Sequence, residues 1–348
     1  MSAILAVTVP FFALVLCGYL AAHFRVLPQS AIPGLNTFVL YFALPCMLFR
    51  FGAGTPFADL LDPALLVVYG VCALAMVAFT VMTTLSRHAG DGGVDLTNAA
   101  FGALVAAFPN TGFMGIPLLV ALFGDRAVGP MVATLLVDLF LTSSLCIALA
   151  QMHGHIGRSG RRDDNAEHDA QSADAQPDVP MRVALLRSAR GALANPLPWA
   201  IGLGGVFSLA GWALPGALGQ IVKMLGDAAT PVALFTIGAV LWRAGQHAHT
   251  RTPAAQFVPV ALFKLFVHPL LVLAVGMLAN AAGLPVSDIG LTVLVLAAAL
   301  PSASNVSLLA ERFGADNGRV ARIIMTSTAV SFVSFSALAW LLGAGPAT

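Results

Sequence analysis

Ten stretches of mainly apolar residues run through the chain, each about the 20 residues needed to cross a bilayer as a helix. They fall at approximately 3–22, 32–50, 64–85, 96–123, 128–151, 194–214, 217–241, 255–282, 287–311 and 318–342. Lipid offers the backbone no hydrogen-bond partners, so such a chain must close its bonds within helices or around a barrel. The short alternating segments of a membrane barrel do not occur in this sequence. Of 348 residues, 58% are hydrophobic and only 9% charged, against about 25% charged in a soluble domain. A soluble enzyme, a nucleic-acid binder and a disordered scaffold are thereby excluded, and a net charge of +1 suggests no polyanion partner. Cys17, Cys46, Cys72 and Cys146 lie unclustered in apolar runs and read as small buried side chains. Neither a metal nor a cofactor is expected. The first stretch lacks a Lys or Arg ahead of its apolar run, so it reads as a span rather than a cleaved leader.

Assigning the loops to alternate sides splits the basic residues unevenly. One side collects Arg25, Arg87, Arg158, Arg161, Arg162, Arg182, Arg187, Arg190, Arg243, Arg251, Arg312, Arg319 and Arg322; the other holds Arg50 and Arg126. The arginine-rich side is expected to be cytoplasmic, which puts both termini outside a bacterial-type inner membrane. Residues 152–193 form the one long polar stretch. Its segment from Arg161 to Pro180 carries charges of both signs and no aromatic residue, so it reads as a flexible cytoplasmic linker.

The linker separates five spans (residues 1–151) from five (residues 194–348), and the halves echo each other. Pro45-x-x-Leu48-Phe49-x-x-Gly52-Ala53 in the second span matches Pro231-x-x-Leu234-Phe235-x-x-Gly238-Ala239 in the seventh. Ala106-Ala107-Phe108-Pro109 in the fourth matches Ala298-Ala299-Leu300-Pro301 in the ninth. An odd number of spans per half inverts the second relative to the first. The expected fold is an all-α membrane protein of ten transmembrane helices in two inverted five-helix repeats, an arrangement typical of secondary transporters.

The fourth and ninth spans cannot be continuous helices. The fourth contains Pro109, Asn110, Thr111, Gly112, Gly115 and Pro117; the ninth contains Pro301, Ser302, Ser304, Asn305 and Ser307. Proline and glycine at this density break a helix. Within hydrocarbon a break survives where protein or a water-filled cavity satisfies the freed backbone. Matched breaks in inverted halves point to a midplane site, where half-helix N-termini favour an anion. Asn110 and Asn305 can donate amide N–H bonds to a carboxylate, and Thr111, Ser302 and Ser304 can add hydroxyls. Alternatively, these side chains cap their own kinked helices.

Lys264 and His268, one turn apart in the eighth span, and Asp138 in the fifth are ionisable groups at membrane depth, where they normally face a cavity or a partner. Lys264 can tether loose backbone at the crossover or balance substrate charge. Asp138 can carry a coupling proton or pair with Lys264. His268 is either a packed polar group or a relay. Asp227 also lies within a span, and Lys223 can snorkel to an interface.

The strings Leu44-Pro45, Lys264 to Pro269 (KLFVHP), Pro301 to Asn305 (PSASN) and Ser327-Thr328, set in two five-span halves, resemble the auxin efflux carrier family, its bacterial branch most of all. That resemblance implies a fold related to sodium/proton antiporters, with crossed broken helices. Spans one, two, six and seven would form a scaffold, and three to five and eight to ten a moving transport domain. It implies small organic anions as substrates: auxin in plants, dicarboxylates such as malonate or malate in bacteria. Asn110 and Asn305 would grip the carboxylate. No acidic residue near Pro45 matches the one described for plant carriers, so that coupling site does not transfer.

The sequence therefore reads as a secondary carrier of small carboxylates and not an enzyme. Proton or sodium is the candidate coupling ion, and a homodimer the candidate assembly. The alternative is a monovalent cation/proton antiporter using Asp138 and Lys264. Intramembrane-enzyme signatures such as His-Glu-x-x-His do not occur in the sequence.

Overall fold

The computed structural model describes residues 2–87, 94–159, 193–246 and 252–345. It is all-helical apart from one isolated two-residue bridge. Most of the expected linker, residues 160–192, lies outside the described residues.

Among the described residues seven helical stretches are long and apolar enough to cross a bilayer: Ser2–His23, Ala31–Gly54, Phe57–Leu85, Thr111–Met152, Gly216–Gln246, Ala254–Ala281 and Asn317–Leu341. The chain is a multi-pass membrane protein. Thr111–Met152 has 42 residues, about twice what a bilayer core needs. It turns at Gly124, whose φ of 66° suits a residue without Cβ. Leu96–Ala107, Pro196–Ala210 and Asp288–Ala298 are apolar but shorter. Two of these three end at the interruptions expected from the sequence.

The helices pack in two groups. In one, Ser2–His23 lies along Gly216–Gln246, and Ala31–Gly54 packs against both Pro196–Ala210 and Gly216–Gln246. Glycines allow this close approach, as is common where lipid removes the usual hydrophobic drive. A Cβ on Gly18 would sit 1.8 Å from the Phe235 carbonyl oxygen, and one on Gly238 1.9 Å from that of Val15. In the other group, Pro63–Arg87 packs on Leu96–Ala107, and His268–Ala281 packs on Asp288–Ala298. Arg319 pins this second group from within. Although it counts among the basic residues of one side in sequence, it is 2% exposed. Its Nε donates to Gln256 O at 3.0 Å and its Nη1 to Asn98 O at 2.7 Å. Gly102 leaves room for the guanidinium: a Cβ there would lie 2.9 Å from Nη1.

Lys223 does not simply reach for an interface. Its Nζ lies 2.6 Å from Asp227 Oδ2, and Arg50 Nη1 lies 2.7 Å from the other carboxylate oxygen. Asp227 is thereby paired twice on a half-exposed face.

Candidate functional site

The first interruption begins where Leu96–Ala107 ends. Phe108 is extended, Pro109 has no N–H to continue the ladder, and Asn110 has φ −77° and ψ 56°. The chain then re-enters a helix through a widened π turn, Thr111–Gly115, before Ile116–Phe123. Here Asn110 O accepts from both Met114 N and Gly115 N. The second interruption follows Asp288–Ala298 and closes at Val306–Arg312.

The two interruptions meet. Asn110 N donates to Pro301 O at 2.8 Å and Ala303 N to Phe108 O at 3.0 Å, an antiparallel bridge between Pro109 and Ser302. Backbone groups that a broken helix leaves bare are thus satisfied by the other broken helix, which is what burial away from water requires. Ser327 supports the crossing: its Oγ accepts from Ser302 N at 3.2 Å and donates to Ile324 O at 3.0 Å.

Beside the crossing lies a cavity of about 40 Å³, lined by Pro109, Asn110, Thr111, Gly112, Asp138 and Asn305, with Asn195 and apolar walls from Leu40, Phe108, Leu135, Leu139 and Leu197. Asn110, which lines it, is 3% exposed. The Thr111 hydroxyl is buried without a partner among the described residues. Such groups are costly to leave unmade, and in native proteins they commonly mark a ligand or water position. Ser302 is turned into the protein against Ser327. Ser304 is buried but does not line the cavity. Pro301 contributes its carbonyl to the bridge, and Pro117 sits in the first turn of Ile116–Phe123.

Lys264, His268 and Asp138 occupy a buried polar chain alongside. Lys264 Nζ donates to Ala298 O at 2.6 Å, on the last turn before the second interruption, and lies 3.2 Å from His268 Nδ1. The Tyr69 ring lies 5.8 Å from that of His268, and its hydroxyl donates to Asp138 Oδ2 at 3.3 Å. Thr142 Oγ1 donates to the other Asp138 oxygen at 3.2 Å. Lys264 and Asp138 form no direct ion pair; each is held by these other partners. Of the two lysine readings, the backbone tether is the contact observed. Asp138 and Lys264 both lie in π turns, Val137–Thr142 and Phe263–Val267, and π turns recur at functional sites.

Tyr69 and Asn195 are the polar neighbours that sequence reasoning missed. Asn195-Pro196 ahead of an apolar run does signal a helix start, and Asn195 Oδ1 indeed accepts from Leu197 N at 3.0 Å. Nothing in that local pattern places it beside the crossing.

Two of the larger cavities carry charged side chains. One, about 750 Å³, is lined by Asp59, Asp62, Asp125, Arg126 and Asp288 among others. The second, about 650 Å³, is lined by Asn36, Arg243, Ser307, Glu311 and Asn317 among others, and so comes within a turn of Asn305.

The family described as "Membrane transport protein" matches residues 3–339. A protein named "Putative malonate transporter" from Rhizobium meliloti (strain 1021) is 27% identical over 352 residues, covering 99% of this chain and 98% of its own. An "Uncharacterized transporter YfdV" of Escherichia coli (strain K12) is 26% identical, covering 94% of this chain and 92% of its own. "Auxin efflux carrier component 8" of Arabidopsis thaliana is 23% identical, covering 86% of each.

Proposed function

From the premise that this chain belongs to the membrane transport protein family, with an auxin efflux carrier among its relatives, we propose that it is a secondary carrier of small carboxylates. Its substrate site is the crossing of the two interrupted helices. The observation that carries this reading is the buried Thr111 hydroxyl, without a partner among the described residues, in a cavity that Asn305 and the buried Asn110 also line. Amide and hydroxyl donors around a small void suit an anion that accepts several hydrogen bonds.

The reading extends to the whole chain. Ten spans form two inverted halves, with the interrupted fourth and ninth spans crossing at the midplane. The group built on Ser2–His23 and Gly216–Gln246 is the scaffold, and the group holding the crossing is the transport domain. The arginine-rich side is cytoplasmic. The cavity reaching Ser307 would then be the cytoplasmic approach to Asn305. Asp138 supplies the charge that couples substrate to a proton, because it lines the cavity and is held by neutral hydroxyls rather than by a cation. Lys264 is committed to Ala298 O, which disfavours the cation/proton antiporter in which it would exchange an ion.

The test is uptake of radiolabelled malonate, malate and indole-acetate into proteoliposomes of purified protein. Wild type should accumulate at least one of them, and Asn110→Ala and Asn305→Ala should abolish that uptake while the protein remains folded. Undiminished uptake by both variants would remove the site assignment.

A further inference from the structure

Asn195 enters the crossing cavity from the opposite packing group. It starts Pro196–Ala210, a helix packed on Ala31–Gly54, whereas Asn110 and Asn305 belong to the crossing itself. Its Oδ1 is engaged by Leu197 N, which fixes the amide plane and turns the NH2 group away from the helix. That NH2 has two donors and no protein partner among the described residues. The helix end offers little else: Pro196 and Pro198 carry no N–H, and the Leu197 N–H is already capped. The amide is therefore the available donor on this wall.

The size of the void makes that donor matter. A water needs roughly 10–15 Å³ of such space, so about 40 Å³ encloses one carboxylate, and the second end of a longer solute lies at the margin, where the half-buried Asn195 stands. Thr111, with its unpartnered buried hydroxyl, lines the same space.

Resting on the carrier reading, we infer that Asn195 is a substrate contact supplied by the non-crossing helix group, and that it favours solutes with a second polar end. A solute gripped at one end by Asn110 and Asn305 presents its other end to the Asn195 amide. A dicarboxylate uses both grips; a monocarboxylate uses one. Because Asn195 belongs to the other group, the contact is made in this conformation and broken when the groups shift. It acts on binding from one side of the membrane more than on turnover.

The experiment compares malonate and acetate uptake by proteoliposomes carrying wild type, Asn195→Ser and Asn195→Asp. Serine and aspartate both keep the helix cap and lose the amide donor, and aspartate adds a repelling charge. The expected result is a KM for malonate raised about ten-fold in Asn195→Ser and further in Asn195→Asp, the loss of one hydrogen bond to a charged group. Maximal rate, Tm and the KM for acetate should stay near wild type. If Asn195→Ser proves poorly folded, the Asn195→Asp comparison decides. Wild-type KM for malonate in a folded variant, with uptake still abolished by Asn110→Ala, would overturn the role of Asn195 and leave the crossing site standing. Uptake indifferent to Asn110→Ala as well would overturn both.

Discussion

Lys264 Nζ lies 2.6 Å from the carbonyl oxygen of Ala298, and this bond fastens the end of one half-helix to the neighbouring span. A buried ammonium is costly, so it is kept where something else would be lost without it. The carbonyl it reaches is on the final turn of Asp288–Ala298, where helical partners run out. Lys264→Met keeps the length of the side chain and removes the donor. It should lower stability by about 1–3 kcal/mol, the range for an unmade buried acceptor, read as a lower Tm in detergent, and should slow uptake. An unchanged Tm would show that the tether carries no weight.

Asp138→Asn is nearly isosteric: its one carbonyl oxygen keeps accepting from either Tyr69 or Thr142, which approach different oxygens of Asp138, and the other hydroxyl can turn to accept from the new NH2. Asparagine cannot exchange a proton. The variant should fold with a Tm close to wild type, and its uptake should be insensitive to an imposed pH gradient that drives wild type. Uptake by Asp138→Asn that still follows the gradient would move coupling to another group.

Gly18→Ala places a methyl 1.8 Å from a backbone oxygen that cannot rotate aside. Ser2–His23 and Gly216–Gln246 must then separate, and overpacking of this kind costs about 1–3 kcal/mol. Gly34→Ala is the control: its Cβ meets nothing within 4 Å, and it lies within a helix, where alanine should gain about 0.5–1 kcal/mol. Thermal melts of the two variants should shift in opposite directions.

Ser327→Ala removes the acceptor for Ser302 N. With Ser302 1% exposed, no water replaces it. The loss should be about 1–3 kcal/mol, with a lower maximal uptake rate and little change in KM, because Ser327 supports the crossing without lining its cavity. A large KM change with unaltered Tm would make Ser327 a substrate contact instead.

Much of this was legible in the chain itself, for local reasons. A lone proline is tolerated within Ser2–His23 and Gly216–Gln246, but prolines clustered with glycine and small polar residues at 109–117 and 301–307 are not, so the interruptions could be placed from composition within an apolar run. The expected bounds of the first and last spans, 3–22 and 318–342, lie within a residue of the helices Ser2–His23 and Asn317–Leu341. What could not be read is pairing at a distance. Asn110 and Pro301 are 191 positions apart, and no periodicity announces that one donates to the other. The same holds for Lys264 and Ala298, for Arg319 reaching Asn98, and for the Asp227 carboxylate shared between Arg50 and Lys223. Asn195 announced a helix start but not what the start would face.

The bridge between Pro109 and Ser302 uses main-chain atoms alone. A splice of that kind is indifferent to which side chains project from it. Exchanging Asn110 or Asn305 for another residue retunes what the void accepts without loosening the join, so the appetite of such a carrier can drift from one solute to another on an unaltered frame.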